Sequence, residues 1–339
     1  MVDAPLTSAE LEERSAASAK RPALGYALVL VAVSLWAVNG TVGKIIVDSG
    51  DLSALRLAEL RATGAGLLLF AAVALFRPAT LRVSRRELGF LAVFGIGGLA
   101  FVHFLYFVAI THLDIGIALV IQYIAPVLVA LWARFFVHEP VRRRLWLALA
   151  LALAGLSLVV ELWSGTALDG VGVAASLAAA CAYALYILMA ERSLQRGRDV
   201  FSLLAWGFIF ATAFWTVVQP WWSFPWSRLT AHVSLLGRLD HVDAPVWLLV
   251  GYVVLLGTIV PFILMITALH YIPATRATVV AMAEPVLGGL VAYAWLEESI
   301  GPLQIAGGIL VLAGIILAQT ARPPSPGPSR GFARPRREP

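Results

Sequence analysis

Two ionisable residues stand well inside runs that are largely apolar. Glu284 directly precedes Pro285 near the middle of the stretch 274–296, and Arg61 lies several residues inside the stretch 53–76. At the centre of a membrane helix such a side chain costs about 2.5–3.5 kcal/mol on insertion scales, so each requires a partner or a polar cavity. Glu284 suits a cavity-facing carboxylate that carries a proton or meets a cationic group; the alternative is a structural glutamate held by a neighbouring helix. Arg61 presents a planar fork suited to a substrate carboxylate. It equally suits an ion pair with Glu284 that holds two parts of the chain together.

Uncharged candidates for the same cavity are Trp36, Asn39, His103, Tyr106, Gln122, Tyr123, Tyr183, Tyr186 and Trp206. The amides of Asn39 and Gln122 are the most telling, because in lipid each demands partners and offers both donor and acceptor. His103 could relay a proton or be a satisfied structural histidine. Pro126 and Pro285 fall mid-helix, where the missing N–H kinks the backbone. Kinks there favour a central cavity and can hinge the chain as access alternates.

Other chemistries find no residues. The six histidines (His103, His112, His138, His232, His241 and His270) are scattered without ligand spacing. Cys181 is the single cysteine, so an intramolecular disulfide or a cysteine metal site cannot form, and its alanine-rich surroundings mark it as a small packing residue. No catalytic group, metal or cofactor is expected. The absence of a P-loop argues against direct ATP drive. An integral-membrane enzyme acting on lipid would need paired acids or clustered histidines at the membrane face, and it stays a minor alternative.

The elements that hold these residues are helices in a bilayer. Hydrophobic residues make up 60% of the chain and charged residues 13%, against roughly 45–50% and 25% in soluble domains. Runs long enough to cross about 30 Å of hydrocarbon fall at 23–47, 53–76, 87–111, 115–136, 144–161, 170–190, 201–219, 245–269, 274–296 and 302–320. The run 87–136 must fold back near Thr111 to Asp114, since as one helix it would reach roughly 75 Å. The first run is too long for a signal-peptide core and is expected to remain as a membrane helix.

The net charge of +5 sits in short basic clusters between apolar runs, which excludes a nucleic-acid face and sets topology instead. Arg77, Arg82, Arg85, Arg86, Arg142 to Arg144, Arg192, Arg196 and Arg198 fall on the same side as both termini, and the opposite side has Lys44, Arg56, Arg228 and Arg238. Both termini are therefore expected in the cytoplasm, with 1–22 and a disordered basic tail at 321–339 as the flanking segments. The long external segment at 220–244 carries Trp221, Trp222, Phe224 and Trp226, expected as an interfacial aromatic belt.

Residues 109–160 match 268–319 without a gap, placing Pro126 on Pro285, Glu139 on Glu298 and Ala154-Gly155 on Ala313-Gly314. Ala125 stands where the second half has Glu284, so the charged site is not fully two-fold. Two repeats, at 23–161 and 170–320, hold five helices each. An odd number inverts the second repeat, placing Glu139 at the cytoplasmic face and Glu298 at the outer face. Inverted repeats with a midplane site between them characterise secondary transporters.

These features resemble the EamA-like branch of the drug/metabolite transporter superfamily over about residues 23–320. The matching pieces are Trp36 to Gly40, Leu60-Arg61-Ala62, Ala283-Glu284-Pro285-Val286, Leu296-Glu297-Glu298, and Gly307 to Gly314. The resemblance implies an all-α membrane protein that moves a small metabolite by alternating access, with export the commoner direction. An amino acid or related zwitterion would use both Arg61 and Glu284. An organic cation, as for a multidrug exporter, would use Glu284 and the aromatics. The expected partners are the substrate, the bilayer of the inner or plasma membrane and a coupling proton or ion, in a monomer or homodimer.

Overall fold

The computed structural model describes residues 21–49, 52–138, 141–161 and 169–320. Residues 1–20 of the tail expected at 1–22, the tail expected at 321–339, and Glu139 lie outside the described residues.

Nine helices among the described residues are long and apolar enough to cross a membrane: α1 Pro22–Asp48, α2 Ala54–Phe76, α3 Arg85–Ile110, α4 Ile115–Phe135, α6 Gly170–Gln195, α7 Val200–Val218, α8 Val246–Ala268, α9 Ala274–Leu296 and α10 Pro302–Thr320. The tenth, α5, spans Arg143–Val159 with 17 residues, about 25 Å at 1.5 Å per residue. The ten elements begin and end within a few residues of the apolar runs. Only α6 runs clearly further, to Gln195.

Local chemistry sets the starts. Ser53 caps α2, Ser84 and Glu87 form a capping box on α3, and Asp169 and Asp199 cap α6 and α7. Each cap satisfies backbone N–H groups that a helix start leaves open. Thr111 to Leu113 form the tight turn between α3 and α4.

Packing makes the internal symmetry visible. In α5 and α10, Gly155 lies against the Gly307 carbonyl while Gly314 lies against that of Ala148. As one chain number rises the other falls, so the helices are antiparallel, and the 159-residue offset exchanges the two contacts. Small residues let two backbones approach this closely. A Cβ on Gly155 would sit 2.7 Å from the Val311 nitrogen, and backbone cannot step aside as a side chain does. Gly155→Ala and Gly314→Ala should each cost about 1–3 kcal/mol, read as a lowered midpoint of thermal unfolding. Gly288→Ala meets nothing within 4 Å and should leave that midpoint unchanged.

The symmetry reaches further than the sequence match. Helices α3 and α8 each contain a π-helical stretch, at Val93–Ala100 and Leu255–Ile259. Within them Gly98 packs on Tyr186 of α6, and Gly257 on Asn39 of α1. Gly98 and Gly257 differ by 159 residues, whereas Asn39 and Tyr186 differ by 147. The 12-residue difference falls in the connection between α7 and α8, much longer than the α2–α3 connection.

That connection combines short 3-10 helices at Trp221–Ser223, Trp226–Thr230 and Gly237–Leu239 with two strands. It carries β1 His232–Ser234 paired antiparallel with β2 Asp243–Pro245, in the register Val233↔Ala244. The hairpin tip rests on the end of α9, where Trp295 Nε1 donates to the Leu235 carbonyl at 3.0 Å. Gly237, at φ +52°, abuts the Trp295 carbonyl, where a side chain would not fit. The expected aromatic belt is partly internal. Phe224 is buried while Trp222 stays exposed, and the Arg56 guanidinium stands over the Phe224 ring at 5.7 Å. Lys44 meets Glu298 at 2.7 Å at the same end of the bundle. Cys181, expected to pack, is exposed, because it falls on an outward face of α6.

Candidate functional site

A cavity of about 370 Å³ opens between the two repeats. Trp36, Asn39, Arg61, His103, Tyr106, Gln122, Tyr123, Tyr183, Tyr186 and Glu284 all line it. They come from α1, α2, α3, α4, α6 and α9, so no single element makes the site.

Two breaks in helices shape its centre. Helix α4 divides into Ile115–Gln122 and Ala125–Phe135, and α9 into Ala274–Ala281 and Glu284–Leu296. Pro126 and Pro285 are thus not mid-helix kinks but second residues of new half-helices, where the missing N–H is no loss. Proline also leaves the carbonyl four residues earlier without its helical partner, and Gln122 is that residue in α4. Pro126 lines the cavity, whereas Pro285 is not among its lining residues.

Glu284 opens the second half of α9, and its carboxylate accepts a hydrogen bond from the Tyr123 hydroxyl at 3.1 Å. Arg61 and Glu284 line the same cavity, yet among the described residues no carboxylate lies within 4.0 Å of the Arg61 guanidinium. The direct ion pair that would clamp the repeats is therefore not made. One cation and one anion face the same space, separated by it. His103 holds the Leu99 carbonyl through Nδ1 at 3.0 Å. A carbonyl only accepts, so Nδ1 carries the proton and the other ring nitrogen is left for a different partner.

Among the described residues, three buried oxygens of wall residues lack a hydrogen-bond partner, Asn39 Oδ1, Gln122 Oε1 and Tyr186 Oη, and of these Asn39 Oδ1 faces Gly257 of α8. Buried polar atoms are ordinarily paired, so Gln122 Oε1 and Tyr186 Oη mark places where a ligand or water can supply the bond.

Trp206 does not join them. It lies two turns into α7, where its indole donates to the Leu81 carbonyl at 3.2 Å and its ring meets Phe70 edge-on at 5.3 Å. Helix α7 packs behind α2 and contributes no wall. Conversely, two residues that do line the cavity were missed in the sequence: Phe262, which is apolar, and Thr278, whose hydroxyl donates to the Ala274 carbonyl of its own helix at 2.9 Å. Phe262 meets Trp36 edge-on at 5.3 Å. The repeat offset, carried back into α3 and α8, would have found Phe262 from His103. It places Phe262 on His103 and Thr278 on Leu119, and all four face the cavity.

Ten helices in two inverted repeats around a shared cavity are the architecture of a membrane transporter. Comparison with known proteins takes this further. The model of the EamA-like transporter family matches residues 23–161 and 170–320, and the chain belongs to that family. It is 24% identical over 298 residues to the uncharacterized transporter YwfM of Bacillus subtilis, covering 86% of this chain and 93% of that one. It is 26% identical over 275 residues to the threonine/homoserine exporter RhtA of Escherichia coli K12, covering 80% and 81%. An uncharacterized transporter of Archaeoglobus fulgidus is 25% identical over 225 residues, covering 65% and 74%. A solved crystal structure shares the fold at a TM-score of 0.68, with 19% identity, covering 87% of this chain and 96% of its own. The relatives are named transporters and not enzymes, which places the chain outside the lipid-modifying class.

Proposed function

We propose that this protein exports an amino acid or a related zwitterion from the cytoplasm in exchange for a proton. The observation that carries this reading is the unpaired placement of Arg61 and Glu284 on one small cavity. A guanidinium fork takes a carboxylate in a bidentate grip, and Glu284 with the acceptors of Gln122 and Tyr186 takes an ammonium. The volume, about 370 Å³, is at the small end of ligand sites. The Lys/Arg bias puts both termini in the cytoplasm of a cell bounded by the inner or plasma membrane. The similarity to a threonine/homoserine exporter supports both the direction and the substrate class.

Alternating access follows from the same parts. The breaks at Tyr123-Ile124 and Met282-Ala283 lie at equivalent points of α4 and α9. Each half-helix can therefore tilt about the cavity without unwinding a continuous helix. A proton and the substrate ammonium compete for the Glu284 carboxylate. Substrate leaves outward when a proton takes its place, and the proton leaves inward when substrate returns.

The test compares the medium of cells expressing wild type with that of cells expressing Arg61→Ala at equal membrane levels. Losing a charge-assisted hydrogen bond of about 1.5–3 kcal/mol should weaken apparent affinity on the order of 10- to 150-fold. One amino acid or related solute should then accumulate outside with wild type alone. If instead a cationic compound is exported and Arg61→Ala leaves its export intact, the substrate is an organic cation held by Glu284 and the aromatic walls. Wild-type medium that matches, in every solute, the medium of cells lacking the protein would overturn the export reading.

A further inference from the structure

A second cavity, of about 420 Å³, lies between the α2–α3 connection and the α6–α7 connection, at one end of the bundle. Arg82, Arg86, Arg196 and Arg198 line it together with Glu87 and Asp199. Both acids are already engaged at both oxygens. Glu87 takes Arg198 at 3.0 Å and the Ser84 backbone N–H at 2.8 Å. Asp199 takes Arg77 at 2.9 Å and the Ser202 backbone N–H at 2.9 Å. Among the described residues, this leaves Arg82, Arg86 and Arg196 without a carboxylate partner.

The walls are tied together and do not depend on those three arginines. Ser202 Oγ donates to the Thr80 carbonyl at 2.6 Å, joining the two connections, and Arg198 donates to Ser202 Oγ at 3.1 Å. Helices α3 and α7 both start beside the cavity, adding the positive ends of their dipoles. A preference for arginine on the cytoplasmic side explains how many there are. It does not explain why three unpaired forks converge on one built cavity.

We propose that this cavity is a binding site for a phosphate-bearing anion at the cytoplasmic membrane face. Guanidinium forks match phosphate oxygens, which only accept, and no carboxylate here is left to compete. Two sources share that chemistry, an anionic phospholipid headgroup of the inner leaflet and free phosphate. The apolar surface beside the site suits acyl chains: Phe201 lies under the Arg77 guanidinium at 5.3 Å, and Phe76, next to Arg77, is 82% exposed. Basic pockets at this depth are a recurrent form of lipid recognition.

The experiment uses the full chain purified in detergent, with lipid adducts read by native mass spectrometry and stability by thermal unfolding. The probes are phosphatidylglycerol, phosphatidylcholine and millimolar inorganic phosphate. One variant carries Arg82→Gln, Arg86→Gln and Arg196→Gln; its control carries Arg142→Gln, Arg143→Gln and Arg144→Gln, equal in charge but away from the cavity. Retention of phosphatidylglycerol should fall on the order of tenfold in the cavity variant and not in the control, with phosphatidylcholine held by neither. Inorganic phosphate that stabilises wild type but not the cavity variant, without selectivity among lipids, supports the same site with free phosphate as its occupant. If both variants lose phosphatidylglycerol equally, or no probe distinguishes wild type from the cavity variant, the proposal is overturned. Arg196→Gln alone makes the same comparison should the triple variant fold poorly, since Arg196 is exposed and makes no side-chain bond among the described residues.

Discussion

Glu284→Gln should abolish proton-driven accumulation of substrate while leaving the protein folded. The amide keeps a carbonyl oxygen at the position where the Tyr123 hydroxyl donates at 3.1 Å, so the local geometry survives the change. What disappears is the one group for which proton and ammonium compete. In proteoliposomes with an imposed pH gradient, wild type should concentrate substrate against its gradient. Glu284→Gln should only equilibrate it, with apparent affinity on the order of 10-fold or more weaker from the lost charge-assisted bond. Tyr123→Phe separates the two roles of the contact. It removes the hydroxyl but leaves the carboxylate, so coupling should persist with altered affinity. Accumulation that survives in Glu284→Gln would show that the proton travels elsewhere, and His103 would be the next residue to replace.

Much of this site could be read before any coordinates, because lipid makes polar residues conspicuous. Arg61, Glu284, Asn39 and Gln122 each carry a desolvation cost that an apolar run cannot meet, and all four converge on the cavity. Aromatic residues are less legible, since a membrane protein places them in cores, at interfaces and on cavity walls alike. Trp206 satisfies its indole on the Leu81 carbonyl, a partner that no spacing in the sequence reveals. Phe262 was hidden for the opposite reason, as one more apolar residue in an apolar run. Helix ends were legible because hydrophobic thickness sets them. The division of α4 and α9 was not, since a proline marks an interruption without saying whether it bends a helix or begins a new one. The Arg61–Glu284 relation was also open in sequence, because attraction between two charges does not tell whether a ligand-sized gap separates them.

The same desolvation logic predicts the largest stability effect, away from the cavity. Glu59 is fully buried in α2, and its carboxylate pairs with Arg56 at 2.7 Å. Arg56 also donates to the Ser223 hydroxyl at 2.7 Å and to the Pro220 carbonyl at 3.3 Å, so it ties α2 to the connection that follows α7. The other Glu59 oxygen, Oε1, is buried without a hydrogen-bond partner, as is Thr63 Oγ1 one turn further along the helix. Glu59 therefore has no second partner to fall back on. Arg56→Ala should cost about 3–5 kcal/mol, the range for removing one member of a buried pair. Glu59→Gln removes the charge and should cost clearly less, because Arg56 keeps its bonds to Ser223 and Pro220. The double variant should be more stable than Arg56→Ala alone, since the penalty comes from the stranded carboxylate and not from the missing guanidinium. Unfolding of the three purified variants in one detergent measures this order. A double variant that loses as much as both single changes together would mean the two residues act independently, with Arg56 important only for its hold on the loop.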